Sequence, residues 1–310
     1  MTIEKREFSC LSSDGQHKLA GVVYLPEGEI KGYFQVVHGM TEYIGRYDRF
    51  MRDMAGEGYL CFGYDHLGHG KTANDDSELG YISRKKGYEL LCRDVKVFSD
   101  AVISEYPAQV DRPYVLMGHS MGSFIVRLAA EKYVKPHKLI VMGTGGANPA
   151  AGAGLALIGL IKAFKGERHI SGCIDKIAFG SYNNRFQNEL KTAPNPWLTT
   201  DFEVRKAYAA DKYCTFKFTV SAMGDLMQLL KCSNRSAWFK NLSKAMPILL
   251  VSGAEDPVGN YGKGVEQVKK KLEKQGICVK CILYRGARHE ILNDFTYEDT
   301  KKDILDFCRG

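Results

Sequence analysis

The chain has 310 residues, 45% hydrophobic and 25% charged, with a formal net charge of +7. That is the composition of an ordinary globular protein, long enough for one large α/β domain with an insertion, and it carries no internal repeat or low-complexity segment. The basic residues are scattered, with one short run at Lys269–Lys271, so the chain lacks the clustered stripe of a nucleic-acid binder.

Met1 to Glu7 is charged and has no apolar run, so no signal peptide is expected. Phe8–Leu11 and Leu19–Leu25 read as strands joined by the turn Ser13-Asp14-Gly15. Gly32–Val37 is the next strand and ends at His38-Gly39-Met40. Tyr47, Phe50, Met51 and Met54 then recur at helical spacing until Gly56 and Gly58. Tyr59–Tyr64 is a short buried strand running into Asp65-His66-Leu67-Gly68-His69-Gly70. Leu90, Leu91, Val95, Phe98 and Val102 mark a helix from Gly87 to Glu105, stopped by Pro107. The apolar run Tyr114–Met117 leads into Gly118-His119-Ser120-Met121-Gly122, and Phe124, Ile125, Leu128 and Ala129 follow at helical spacing. Lys138–Met142 is another strand, closed by Gly143-Thr144-Gly145-Gly146.

The alternation breaks at Ala147 and resumes at Pro247. Ile248–Val251 and Val279–Tyr284 then read as strands, with helices at Tyr261–Lys274 and Thr296–Cys308. Strand–helix alternation of this kind implies a mostly parallel sheet with helices on both faces. The predicted organisation is a core of residues 1–146 and 247–310, with a helical cap, residues 147–246, inserted after the sixth of eight strands. Ala150–Phe164 is nearly all apolar, yet too short and too interrupted by glycine to span a membrane. Periodicity leaves two readings of it: a helix buried in the cap, or a lid helix that touches lipid.

Gly118-His119-Ser120-Met121-Gly122 has the form G-x-S-x-G between a strand and a helix, the pattern of a nucleophile elbow. A serine hydroxyl needs a base within hydrogen-bond reach and a group that orients the base. In a fold built on this elbow the acid and then the histidine follow the serine in the chain. Asp256 follows the first strand after the cap, and His289 follows the last strand. His289 is the only one of the eight histidines beyond that acid. Glu255 competes with Asp256, but Asp-Pro directly after a strand suits a tight turn that aims the Asp side chain inward. Two backbone N–H donors are required for the oxyanion, and Met121 and Met40 are placed to supply them. Gly39 lets the second loop turn its amide inward. His38 and His119 are read as support for these loops. Asp65, His66 and His69 form too weak a pattern for zinc, and Gly143-Thr144-Gly145-Gly146 lacks the spacing of a nucleotide fingerprint. Nine scattered cysteines read as reduced thiols of a cytoplasmic protein. Cys278 and Cys281 form a formal C-x-x-C, but in a strand residues three apart face opposite ways.

The blocks H-G-x-x-E-x-x-x-R-Y (His38 to Tyr47), D-H-x-G-H-G (Asp65 to Gly70), G-H-S-M-G (Gly118 to Gly122), G-x-x-D (Gly253 to Asp256) and H-E-I-L (His289 to Leu292) together resemble the monoacylglycerol lipase and lysophospholipase branch of the α/β-hydrolase superfamily, often labelled by similarity to serine aminopeptidases. The resemblance implies the α/β-hydrolase fold, a Ser120–Asp256–His289 triad, Met40 and Met121 as oxyanion donors, and a mobile cap that encloses an apolar acyl tunnel. Two departures stand out: Leu67 stands where many members have Arg, and Tyr43 where some have His. The cap segment from Asp211 also resembles the family, without the common Asp-Pro start. The expected activity is hydrolysis of monoacylglycerols, lysophospholipids or similar acyl esters, with no metal or organic cofactor. Transient lipid contact would run through the cap. An amide hydrolase on the same triad and a silent ligand-binding module are the rival readings. Acyl length, head group and oligomeric state are left open by the sequence.

Overall fold

The computed structural model describes residues 3–310. These residues form an eight-stranded sheet. The strands are β1 (Glu4–Leu11), β2 (Lys18–Leu25), β3 (Gly32–Val37), β4 (Tyr59–Tyr64), β5 (Tyr114–His119), β6 (Lys138–Met142), β7 (Ile248–Gly253) and β8 (Val279–Tyr284). Their order is β1-β2-β4-β3-β5-β6-β7-β8. β2 runs antiparallel to both β1 and β4, and every later pairing is parallel. β3, β4, β5 and β7 are buried at every position. A strand covered on both faces needs apolar residues throughout, which is why these segments read as continuous runs.

Helices cover both faces. The first three are α1 (Asp48–Gly56), α2 (Gly87–Glu105) and α3 (Met121–Lys132). Between β6 and β7 come α4 (Ala151–Lys165), α5 (Gly172–Phe179), α6 (Phe202–Ala210), α7 (Lys212–Thr215), α8 (Val220–Ser233) and α9 (Ser236–Asn241), with no strand among them. The chain closes with α10 (Lys263–Glu273) and α11 (Tyr297–Arg309). Side chains alternate across a strand, so Leu116 of β5 joins Phe98, Ile125 and Val268 under α2, α3 and α10. Its neighbours Val115 and Met117 join Phe50, Met51 and Ile304 under α1 and α11. This is the α/β-hydrolase arrangement that the sequence motifs imply.

Two sequence expectations need correction. β1 begins at Glu4 and not at Phe8, because charges at Glu4, Lys5, Arg6 and Glu7 mask a strand that pairs in full with β2. Charges on an edge strand discourage further strand addition. The reading that buries Ala150–Phe164 is also overturned. In α4 only Ala151 and Ile158 are buried, while Leu160 is 58% and Phe164 85% exposed. Among the described residues no helix is long and apolar enough to cross a membrane.

The inserted helices are fastened to the core by Arg127 of α3. Its guanidinium has no exposed surface and no carboxylate partner. It donates instead to Thr144 Oγ1, Gly145 O, Ser233 O and Asn234 Oδ1, bridging the loop after β6 and the carboxyl end of α8. The partial negative charge of a helix C-terminus favours a cation there. Trp238 packs 4.2 Å from the guanidinium and returns an N–H bond of 2.6 Å to Arg127 O. Burial pulls the guanidinium pKa down to about 9. Arg127→Ala would open a cavity and strand these acceptors, so it should cost about 3 kcal/mol or more in a urea-unfolding measurement. A loss below about 1 kcal/mol would show the strut to be dispensable.

Candidate active site

Ser120 is the single residue between β5 and α3, and its backbone sits at φ 53°, ψ −120°. A side chain in that region is strained, so the fold must hold it there. The glycines around it permit the approach that does so. A Cβ on Gly118 would lie 2.3 Å from Gly122 O, and one on Gly122 would lie 2.1 Å from Val37 O. Met121 opens α3, where backbone N–H groups have no intrahelical partner and the helix dipole is positive. Gly39 passes so close that a Cβ there would stand 2.9 Å from Ser120 Cβ. The β3 loop with Met40 therefore lies directly beside the nucleophile elbow.

Asp256 and His289 emerge after β7 and β8, at the same edge of the sheet. His289 Nδ1 donates to Asp256 Oδ2 at 2.9 Å, and Asp256 is fully buried. Asp256 also accepts from Ser252 Oγ at 3.1 Å and from the Val258 amide at 2.8 Å. Burial works against its charge, but the His289 ring and these donors outweigh burial and hold the carboxyl below its usual range. Glu255, the rival acid, points elsewhere and pairs with Arg185 of the insertion at 3.3 Å. Ser120 and His289 line one cavity together with Met40 and Met121. Ser120 Oγ has no hydrogen-bond partner among the described residues.

The loops that carry these groups are held by buried polar contacts. His38 Nε2 accepts from the His66 amide at 3.0 Å, so its proton is on Nδ1, which donates to Gly39 O at 2.8 Å. Asp65 spends its two oxygens on the amides of Ile44 and Lys71, each at 2.8 Å. His119 donates Nδ1 to Glu42 Oε1 at 3.0 Å and Nε2 to His289 O at 3.2 Å. Glu42 also accepts from the Gly39 amide, Tyr47 OH and Arg46. Arg46 grips Glu290, next to His289, through two bonds of 2.6 and 2.7 Å. Glu42, Arg46 and Glu290 all lie in the sequence blocks quoted above, but no pattern assigns them a role, because pairing across 244 residues of chain leaves no local trace.

The insertion reaches the site as well. Trp197 lies with its ring centre 5.1 Å from that of His289, and its carbonyl accepts the His289 amide. Arg288 binds Glu189 of the insertion with both terminal nitrogens. No periodic signal marks Trp197 or Glu189 in sequence. The cavity measures about 1140 Å³ and is lined mainly by apolar groups, among them Phe124, Ile158, Phe179, Met223 and Leu230. Leu67 and Tyr43, which depart from the family pattern, lie away from the reacting groups. Leu67 is buried in the core, and Tyr43 OH donates to Asp211 at 2.9 Å.

The chain is similar to the monoglyceride lipase of Mus musculus, 34% identical over 123 residues, which is 39% of this chain and 37% of that one. The match thus spans little more than a third of that relative. The monoacylglycerol lipase of Mycolicibacterium smegmatis is 24% identical over 307 residues, 95% of each chain. A thermostable carboxyl esterase from Bacillus coagulans superposes with a TM-score of 0.91 at 29% identity, covering 100% of this chain and 99% of its own. Residues 28–296 match the family described as serine aminopeptidase, S33, and the chain belongs to that family of α/β-hydrolases.

Proposed function

We propose that the protein is a serine esterase that cleaves monoacylglycerols, lysophospholipids or similar acyl esters through a covalent acyl-enzyme. The observation that carries this is one cavity lined by the strained Ser120, by His289, whose ring is bonded to the buried Asp256, and by mainly apolar walls. In this reading Ser120 Oγ attacks the ester carbonyl carbon while His289 Nε2 takes its proton. The Met40 and Met121 amides receive the oxyanion. Collapse breaks the acyl–oxygen bond, and the imidazolium returns the proton to the leaving alcohol. Water then attacks the acyl-enzyme by the same steps. Asp256 holds the ring in the tautomer this requires and stabilises its charge. The names of the Mus musculus, Mycolicibacterium smegmatis and Bacillus coagulans proteins point to esters.

An aminopeptidase would need a free carboxylate for the substrate ammonium. The acidic residues lining the cavity are Glu42, Asp175 and Glu290, and each already faces a cation: His119, Lys217 and Arg46. This favours the ester reading over the amide one. The insertion, residues 147–246, acts in it as a lid. Its helix α4 offers Leu157, Leu160 and Phe164 to a lipid surface.

Each methylene moved from water into the apolar walls is worth about 0.8 kcal/mol. Turnover of p-nitrophenyl esters should therefore rise from acetate toward longer chains, and Ser120→Ala should abolish it while leaving the fold intact. A rate that peaks at acetate would sink the acyl-cavity reading, and unchanged turnover in Ser120→Ala would sink the serine mechanism. On lipid, a Leu160→Ser/Phe164→Ser variant should turn over vesicle-borne monoacylglycerol more slowly and p-nitrophenyl butyrate as before; equal loss on both substrates would remove α4 from lipid contact.

His119 gives a pH signature. Both its ring nitrogens face acceptors, so it satisfies them only as the imidazolium. Burial opposes that charge, yet Glu42 overcomes it and raises the His119 pKa above its ordinary value. A raised pKa stabilises the fold below the unfolded-state value of about 6.5, and the effect fades as pH climbs through the folded value. The melting-temperature gap between wild type and His119→Gln should accordingly be wider near pH 6 than near pH 9. A gap that widens with pH would mean that His119 is neutral.

A further inference from the structure

Thr41 follows Met40 and has φ 49°. A β-branched residue in the left-handed region is a genuine outlier, because its Cβ crowds the backbone. Such a conformation persists only where the surroundings enforce it. Here the enforcing group comes from outside the core. Tyr208, on α6 of the insertion, donates its hydroxyl to Thr41 O at 2.9 Å. The same oxygen lies 2.8 Å from Thr41 Oγ1. The phenol has one proton, and the carbonyl takes it, so Thr41 Oγ1 is the donor of the second bond. Burial pushes the phenol pKa up, which keeps that proton in place.

The Tyr208 ring is itself held. It packs 5.0 Å from the Arg46 guanidinium, which Glu290 fixes by two bonds. Two residues on, Tyr43 OH binds Asp211 at the start of α7. The β3 loop and the α6–α7 corner are thus joined at two points, and one of them falls on the strained residue.

We propose that Tyr208 is a positioning residue for the oxyanion loop. Its paired hydrogen bonds hold Thr41 in the left-handed conformation that aims the Met40 amide at the substrate oxygen. Catalytic competence then depends on the docking of α6, so the insertion completes the site as well as covering it. This inference rests on the serine-esterase reading and on Met40 as an oxyanion donor.

The test compares wild type, Tyr208→Phe, Thr41→Gly and the double variant on p-nitrophenyl butyrate. Tyr208→Phe keeps the ring and removes only the hydroxyl. It should lower kcat about tenfold, with KM changed less than about twofold, because a misaimed oxyanion donor acts on the transition state alone. Affinity for a boronic acid, which forms a tetrahedral adduct, should fall by the same factor. Glycine adopts the left-handed region without penalty. Thr41→Gly removes the strain that Tyr208 opposes, so Tyr208→Phe in that background should cost less than about twofold relative to Thr41→Gly alone. A wild-type rate in Tyr208→Phe would overturn the proposal. So would a tenfold loss that persists in the Thr41→Gly background, since Tyr208 would then act on substrate or packing and not through Thr41. The esterase reading stands or falls separately, on whether a fluorophosphonate labels Ser120 in the wild type; an unlabelled, inert wild type removes both.

Discussion

A single buried carboxylate ties the three loops of the site together. Glu42 is almost without exposure and accepts from the Gly39 amide, His119, Tyr47 and Arg46. Taking a carboxylate out of water costs several kcal/mol, which only a full set of donors offsets. The donors come from different parts of the chain. Gly39 belongs to the β3 loop beside Met40, His119 ends β5 next to Ser120, and Arg46 passes the connection on to Glu290 beside His289. The relative placement of Ser120, the Met40 loop and His289 thus converges on one side chain that touches none of the reacting atoms in the proposed chemistry. Burial sharpens this, because a weakened member would leave charge unpaired in a medium that screens little.

Much of the core was legible in sequence for a definite reason. β3, β4, β5 and β7 are covered on both faces, so each reads as an unbroken apolar run. The helices α1 and α2 bury one side and show the 3.6-residue period, whereas α3 is buried all round from Met121 to Ala129. β1 failed that reading because an edge strand is held by its ladder to β2, and its charges carry no period. The positions of Ser120, Asp256 and His289 were legible as chain order and turn chemistry. Glu42, Arg46 and Glu290 were visible as letters in motifs but mute as to role, since the contacts that define them join residues far apart in the chain. The insertion was the least legible part. Its α4 is apolar nearly all round, a pattern shared by buried and lipid-facing helices, and the exposure of Leu160 and Phe164 excludes the buried one.

The insertion is not anchored evenly. Its second half is clasped to the His289 loop: Arg288 and Arg205 share Glu189, the Leu198 carbonyl accepts the Glu290 amide at 2.7 Å, and Thr199 Oγ1 donates to Asn293 O at 2.7 Å. These bonds surround the very residues that precede and follow His289. The first half is tied elsewhere: Lys162 bonds to Arg84 O and Ser221 Oγ, and Glu167 accepts from Tyr81 OH, while side chains such as Phe164 and Ile177 are exposed. Exposed apolar surface is cheap to move relative to a network of buried ion pairs and backbone bonds. In the proposed function, movement of α4 and α5 as a lid would have to break the Lys162 and Glu167 bonds, while the strap from Glu189 to Thr200 stays with the base.

That division gives a physical sense to where strain is kept. Ser120 and Thr41 both have positive φ, at 53° and 49°, on either side of the point where the proposed oxyanion would form. Neither conformation is favourable by itself. Ser120 is held from within, by glycines that let α3 close against the β3 carbonyl of Val37. Thr41 is held from without, by Tyr208 of α6, which belongs to the firmly anchored half of the insertion. In the proposed function, a site whose donor loop leans on α6 and whose base leans on the strap would keep its geometry if α4 and α5 moved. In the proposed function the α6 half of the insertion is in this sense part of the catalytic frame, and the α4–α5 half carries the exposed apolar surface.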